Sequence, residues 1–226
     1  MDLSARATTA GIAQLTLADD PSRWQALGFA VSDATLELGS VQVLLAGSSA
    51  GKGIVGWSLR GVEGTELDGL PTTLADAPTT DAPATSDRSP AHDNGITAVD
   101  HIVAMSPDLD RSVQKLQAAG LDLRRIREQP TPAGAPRQAF FRLGEVILEV
   151  VQEPDDVPAA RPDGADGPAR FWGLALLSDD LDLTVRGLGE DVSEIRAAVQ
   201  PGRRIATLRR SAGLAVPVAL ISSTTA

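Results

Sequence analysis

The stretch that decides the fold is ITAVDHIVAMSPDLD, Ile96 to Asp110. Up to Met105 it alternates β-branched and polar residues, a pattern typical of a strand. Ser106 and Asp108 come next, and both are residue types that cap helices. The apolar residues after them repeat at the spacing of one helical face: Leu109, Val113 and Leu116. The stretch therefore predicts a strand followed by an amphipathic helix.

Three further strands follow this helix. The segments LDLRRIRE, RQAFFRLG and EVILEVVQ are rich in strand-forming residues, and the turn Leu143-Gly144 separates the last two as a hairpin. Residues 96–152 are therefore predicted to have the order β-α-β-β-β.

A second copy of this order occupies residues 170–226. RFWGLALLS is predicted as a strand, DDLDLTVRGLGE as a short helix, and IRAAVQ, RRIATLRR and AVPVALIS as three strands. Aligning the helix caps Asp108 and Asp180 places Gly173 opposite His101, and aligning the last strands places Ala219 opposite Glu149. An internal repeat with one element order is strong evidence for two modules of the same fold.

Two low-complexity stretches divide the chain. Residues 73–95 are dense in Pro, Ala, Thr, Ser and Asp, which predicts a disordered linker without a core strand, and residues 153–169 form a second, acidic and Pro-rich loop. Residues 1–72 carry fainter echoes of the modules, because ATLELGSVQVLLAG resembles the FRLGEVILEVVQ hairpin and IVGWSLRG resembles FWGLALLS. We expect this region to be a degenerate or truncated pair of modules.

The composition excludes several classes of function. With 30 acidic and 20 basic residues, the chain has no broad basic surface for nucleic acid or anionic lipid, so a small molecule is the expected partner. The absence of cysteine excludes disulfides, thiolate nucleophiles and cysteine metal sites. No apolar stretch approaches the roughly 20 residues of a membrane span, and the first residues lack the apolar core of a secretion signal, so a cytoplasmic location is expected.

The segment VDHIVAMSPDLDRSVQKLQAAGLDL, followed by AFFRLGEVILEVVQ, resembles a glyoxalase-like module of the vicinal-oxygen-chelate superfamily. The resemblance implies an α+β fold in which paired β-α-β-β-β modules form a curved mixed sheet around a cavity. It also implies that a small molecule occupies the cavity between the two C-terminal modules, and many members hold a divalent metal there.

In that superfamily the first strand of a module offers a histidine or glutamine as a metal ligand, and the last strand offers a glutamate. His101 and Glu149 occupy these positions, and they suit a divalent cation such as Mn, Fe, Co, Ni or Zn. Gly173 and Ala219 supply no ligand from the partner module, which leaves the metal site incomplete. The alternative is a hydrogen-bonded histidine and a glutamate paired with an arginine.

Strand alternation predicts which neighbours share the face of this pair. If His101 faces the cavity, so do Val103 and Met105, whereas Asp100 and Ile102 lie on the other face. We expect His101 and Glu149 to lie within hydrogen-bonding or shared-metal distance.

Further candidates for ligand binding come from the aromatic residues and the arginines of the repeated strands. They are Phe140, Phe141, Trp172, Arg142 and Arg209. The aromatic residues could equally be core, and most arginines could be solvated charges on the outer face.

Three functions remain open at this level. One is a binding protein for a small, anionic molecule without a complete metal site. Another is a metal-dependent lyase, isomerase or dioxygenase with Glu149 as a base, and the third is a structural protein with a filled cavity. The sequence is compatible with a monomer or a homodimer.

Overall fold

The computed structural model describes residues 10–76, 91–130, 134, 136–154, 156–159 and 162–223. Two β-sheets account for most of the regular structure, one of five strands and one of eight. They share one continuous hydrophobic core. No helix in the described part of the chain is long and apolar enough to cross a membrane.

The eight-stranded sheet contains both C-terminal modules. The first module consists of β6 (Ile96–Ser106), α2 (Leu109–Ala118), β7 (Asp122–Arg127), β8 (Gln138–Leu143) and β9 (Val146–Gln152). The second consists of β10 (Arg170–Ser178), α4 (Leu181–Leu188), β11 (Arg196–Ala197), β12 (Arg204–Thr207) and β13 (Val218–Ser222). The predicted β-α-β-β-β order is present in both.

The order of strands in this sheet is β11-β12-β13-β10-β6-β9-β8-β7. The first strands of the modules, β6 and β10, pair antiparallel at the centre, and each pairs in parallel with the last strand of its own module. The second module is the more reduced of the two, because the expected strand IRAAVQ retains only the two residues Arg196–Ala197 in β11.

The helix caps repeat as the alignment predicted. Asp108 accepts a hydrogen bond from the backbone N–H of Arg111, and Asp180 accepts one from Leu183 in the same way. An aspartate at this position satisfies one of the free N–H groups of the first turn. The strand-to-helix junction of both modules is therefore built by the same local interaction.

The five-stranded sheet is formed by the N-terminal region. Its elements are β1 (Gly11–Leu17), α1 (Pro21–Ala26), β2 (Thr35–Leu38), β3 (Val41–Leu45), β4 (Ile54–Arg60) and β5 (Thr72–Leu74), in the sheet order β2-β3-β1-β4-β5. Here β1 pairs in parallel with β3 and antiparallel with β4, as β6 does with β9 and β10. The region is a truncated module pair that has lost one strand of its first module, and the helix and middle strands of its second.

Both ends of the expected linker, residues 73–95, are structured. Residues 77–90 lie outside the described part of the chain. Thr73 and Leu74 belong to the edge strand β5. His92 is buried, where its Nδ1 accepts from the Ala30 N–H at 3.0 Å. The prediction was wrong at these ends because contacts distant in sequence hold residues whose local composition is that of a linker.

The expected acidic loop of residues 153–169 also has structure, apart from residues 155, 160 and 161, which are not described. It contains the short helix α3 (Asp156–Ala159). Its first residue, Glu153, has a fully buried side chain that pairs with Arg170. The acidic composition thus includes one carboxylate that is part of the core.

The N-terminal sheet and the first C-terminal module are joined by a buried ion pair. The side chain of Asp68 is 3% exposed, and Oδ1 accepts from Nε of Arg111 in α2 at 2.9 Å. Ser112 donates a further hydrogen bond to the same carboxylate. Helix α2, which packs on β7, β8 and β9, is thereby tied to the loop between β4 and β5.

Candidate functional site

The two faces of the eight-stranded sheet differ in burial. Ile102 and Ala104 of β6 are fully buried on the face that carries α2 and α4. Many side chains of the opposite face are partly exposed, and we call it the site face. It carries His101 of β6 and Glu149 of β9, whose side chains are 18% and 16% exposed.

His101 and Glu149 are brought together by the parallel pairing of β6 and β9. Val103 is the direct neighbour of Glu149, so His101 stands one residue pair away on the same face. Nε2 of His101 lies 3.7 Å from Oε2 of Glu149, which is within ion-pairing range and too long for a hydrogen bond. The prediction that these side chains lie close together is confirmed.

Asp100 joins this pair, contrary to the prediction that it lies on the other face. The pairing of β6 with β10 passes from Val99 to His101 and leaves Asp100 unpaired as a β-bulge. The bulge breaks the alternation of the strand and turns the carboxylate towards the neighbouring imidazole. Oδ2 of Asp100 lies 2.7 Å from Nδ1 of His101.

Arg203 completes the row from the second module. Its guanidinium donates from Nη2 to Oδ1 of Asp100 at 2.7 Å and from Nε to the carbonyl oxygen of Ser222 at 2.9 Å. Burial alone would raise the pKa of Asp100, but the hydrogen bonds from His101 and Arg203 outweigh it and lower the pKa. Asp100 is therefore held as a carboxylate.

This arrangement determines where the proton of His101 lies. A carboxylate only accepts hydrogen bonds, so Nδ1 of a neutral His101 carries the proton and Nε2 presents its lone pair to Glu149. A lone pair facing a carboxylate is unfavourable. A proton on either Nε2 or Glu149 makes the contact attractive.

Glu149 is suited to take up such a proton. Burial raises the pKa of its carboxyl above the ordinary value, although the charge on His101, a hydrogen bond from Gln138 and the charge on Arg127 act in the opposite direction. Nε2 of Gln138 donates to Oε1, so the second oxygen is the one that faces His101. The pair can thus hold or release a proton at a defined point on the site face.

The equivalent positions of the second module cannot contribute in the same way. Ala175 pairs with Ala219 as Val103 pairs with Glu149, which gives Gly173 the place of His101 and agrees with the sequence alignment. A Cβ at Gly173 would lie only 2.8 Å from the carbonyl oxygen of Pro217. Close approach of the backbone therefore requires glycine at this position.

His101 and Glu149 are the two possible side-chain donors for a divalent metal on the site face. Nε2 of His101 and Oε2 of Glu149 could bind one ion together, and the bond from Asp100 would orient the imidazole. Gly173 and Ala219 offer no side-chain donor, and the described residues contain no group of three or more His, Cys, Asp or Glu residues able to hold an ion. Two donors do not fit an ion held by the chain alone.

Arginines flank this pair on the outer strands of the first module. Phe140 is paired with Glu149 on one side and with Arg125 on the other, and the Arg125 guanidinium lies 4.9 Å from the centre of its ring. Arg127 is paired with Gln138, and Arg142 with Ile147, so both lie on the site face. None of the three arginines pairs with a carboxylate in the part of the chain that the structure describes.

Two of the residues predicted to bind a ligand, Phe141 and Arg209, lie elsewhere. Phe141 is fully buried on the opposite face, because adjacent strand residues point in opposite directions. Arg209 follows the end of β12 and donates to the carbonyl oxygen of Glu190. Trp172 is 52% exposed and sits at a second bulge, between Phe171 and Gly173.

Sequence reasoning missed Asp100, Gln138 and Arg203. Asp100 was assigned to the wrong face because a bulge leaves no clear mark in the sequence. Gln138 could have been found, since it lies two residues from Phe140 on the same strand and therefore on the same face. Arg203 is one of several arginines near the repeated strands, and nothing local distinguishes it.

Neither a protein-family model nor a curated protein sequence matches the chain. Among solved structures, a xylose isomerase-like TIM barrel/4-hydroxyphenylpyruvate dioxygenase fusion protein matches 96% of this chain with a TM-score of 0.60 at 14% identity. The match covers 49% of that protein, so this chain spans about half of its length. The chain therefore has the vicinal-oxygen-chelate, or glyoxalase-like, fold.

Shorter matches occur with methylmalonyl-CoA epimerases. The enzyme from Mycobacterium tuberculosis covers 58% of this chain and 91% of its own, with 16% identity and a TM-score of 0.46. A variant from Streptomyces coelicolor, in complex with 2-nitronate-propionyl-CoA, covers 57% and 99%, with 22% identity and a TM-score of 0.44. These partial similarities in shape carry no argument about this chain's function.

Proposed function

We propose that the chain binds a small carboxylate-bearing molecule on the site face of its first C-terminal module. The observation that carries this proposal is the presence, on one face, of the His101 and Glu149 pair and three arginines around Phe140. A guanidinium that lacks a carboxylate partner recognises an anionic ligand by bidentate hydrogen bonds. The pair would accept or donate a hydrogen bond at the other end of the ligand.

The steric properties of the second module support binding at this place. Ala219, which takes the place of Glu149 in the second module, is a small and partly exposed residue of the site face. Val103 supplies an apolar surface beside Glu149. This combination of a few polar groups on an apolar surface is the usual composition of a small-molecule site.

Calorimetric titration with 4-hydroxyphenylpyruvate tests the proposal. This compound is chosen because it combines a carboxylate with a ring. In addition, the solved structure that matches 96% of this chain is named as a 4-hydroxyphenylpyruvate dioxygenase fusion protein. We expect saturable binding, and we expect Arg142→Gln and Glu149→Gln each to weaken it by roughly tenfold, the effect of losing one charge-assisted hydrogen bond. In both variants the free energy of unfolding should change less than the free energy of ligand binding.

Arg124→Gln is the matched control, because Arg124 is exposed, belongs to the same sheet edge and pairs with Asp122. It should bind the probe as well as the native chain does. Absence of saturable binding for 4-hydroxyphenylpyruvate, phenylpyruvate and benzoate alike would contradict the proposal. An equal loss of affinity for the probe in the Arg124→Gln and Arg142→Gln variants would also contradict the proposal.

A divalent-metal-dependent lyase, isomerase or dioxygenase is the second candidate function. The hydrogen bond from His101 to Asp100 favours it, since ligating histidines commonly donate their other N–H to a carboxylate, and the raised pKa of Glu149 suits a base. The presence at this site of only two described side-chain donors for a metal ion, His101 and Glu149, argues against this function. Metal analysis of protein purified without an affinity tag decides: about one ion per chain, lost in His101→Ala, would favour the enzyme.

A further inference from the structure

A cleft lies on the N-terminal sheet, away from the site face of the C-terminal modules. It has a volume of about 380 Å³ and is bounded by β1, β4 and β5. Its walls include Gln14, Thr16, Gly56, Ser58, Pro71 and Thr73. The volume lies at the lower end of the range of about 300–1,000 Å³ that is common for small-molecule sites.

The strand pairing shows that this cleft is the counterpart of the His101 region. Thr16 pairs with Gly56 and with Leu44, as Val103 pairs with Gly173 and with Glu149. Gln14 then occupies the position of His101, two residues before Thr16.

Local irregularities repeat as well. The pairing of β1 with β4 omits Ala13, as the pairing of β6 with β10 omits Asp100. A Cβ at Gly56 would lie 3.2 Å from the carbonyl oxygen of Pro71, as one at Gly173 would approach Pro217. The cleft is therefore a second copy of the same architecture.

The two copies differ in which positions carry charged, polar and apolar side chains. The ionisable positions of the C-terminal copy are uncharged here, because Asp100, His101 and Glu149 correspond to Ala13, Gln14 and Leu44. The apolar positions of the C-terminal copy carry hydroxyl groups here, because Val103, Ala175 and Ala219 correspond to Thr16, Ser58 and Thr73.

Three polar groups of the cleft can still bind a ligand, whereas the hydroxyl of Thr73 already donates to the carbonyl oxygen of Trp57. Nε2 of Gln14 donates to Oε1 of Gln42 at 2.7 Å, which holds the amide in place and leaves its carbonyl oxygen as an acceptor. The hydroxyl groups of Thr16 and Ser58 have no hydrogen-bond partner among the described residues. Glu37 reaches this network only through Gln42.

We infer that this cleft binds a small uncharged polyol, such as a monosaccharide. Hydroxyl groups both donate and accept, and so match a wall of hydroxyls and one amide oxygen. An ion would find no opposite charge on the cleft wall to offset its desolvation. The site is distinct from the carboxylate site proposed above and does not depend on it.

Two-dimensional amide NMR with glucose, myo-inositol and N-acetylglucosamine as probes tests the inference on the full chain. We expect at least one probe to shift the amide signals of Thr16, Gly56 and Ser58 saturably, while the signals of His101 and Glu149 stay in place. The double variant Thr16→Val, Ser58→Ala should weaken binding roughly tenfold, because two hydrogen bonds are lost. Glu149→Gln should not change it.

The fold of the double variant is checked by its unshifted signals in the eight-stranded sheet. If none of the three probes gives saturable shifts, or if the double variant binds as well as the native chain, the inference is wrong. It is also wrong if benzoate displaces the polyol from the cleft, since the two sites would then not be separate.

Discussion

Asp100 and His101 are consecutive residues of one strand, yet Oδ2 of the first lies 2.7 Å from Nδ1 of the second. In a regular strand their side chains would point to opposite faces. The bulge at Asp100 places both on one face, where Arg203 binds the carboxylate. A single irregularity of the backbone thus assembles a row of four polar side chains that ends at Glu149.

The two histidines of the chain are expected to adopt opposite tautomers. Nδ1 of His101 faces a carboxylate and must carry the proton, whereas Nδ1 of His92 accepts from Ala30 and must lack it. Nitrogen NMR of the imidazoles near pH 9, where histidine is neutral, checks this. Asp100→Leu should shift His101 towards the other tautomer and leave His92 unchanged; identical tautomers in the native chain would contradict the geometry.

Glu149→Gln should make the chain more stable than the native chain, and this gain in stability should be larger at neutral pH than at acid pH. Burial raises the pKa of Glu149 in the folded state, so its contribution to stability is fully present below the unfolded pKa and is lost as the pH rises through the folded pKa. Gln removes this loss, and its advantage over the native chain should grow from pH 4 to pH 7. Thermal unfolding over that range measures it.

The control for this experiment is Glu145→Gln at the exposed hairpin turn, which should show little change with pH. An advantage of Glu149→Gln that shrinks as the pH rises would show that His101 and Arg127 stabilise the carboxylate more than burial penalises it.

Gly173→Ala should destabilise the chain by about 1–3 kcal/mol, the usual cost of overpacking. The new methyl group would lie 2.8 Å from the backbone oxygen of Pro217, which cannot move without disturbing the pairing of β13. Gly187→Ala is the control: a Cβ there meets nothing within 4 Å, and alanine in a helix should stabilise by up to about 1 kcal/mol. Denaturant unfolding of both variants provides the comparison.

Arg111→Met should destabilise the chain by about 1–3 kcal/mol, because it removes the guanidinium partner of the buried Asp68 carboxylate and leaves Lys115, at 3.6 Å, as its cationic partner. Arg124→Met removes an exposed pair and should cost less than about 1 kcal/mol. Similar losses of stability in both variants would mean that the pair of Arg111 with Asp68 contributes no more to the free energy of unfolding than an exposed pair does.

The sequence by itself determined the modular architecture. The caps Asp108 and Asp180, the alternating strands and the repeated element order are local or periodic features, and each module supplies them independently. They also gave the register that places Gly173 opposite His101. Such features are readable because they depend on neighbours within a few residues.

Only the tertiary structure decided which polar groups meet. The bulge that turns Asp100 depends on how β6 pairs with β10, and Arg203 reaches Asp100 across a separation of 103 residues. His92 lies in a stretch whose composition is that of a linker, yet it is held by Ala30 and Glu37. These contacts arise from packing between distant segments, and no local pattern encodes that packing.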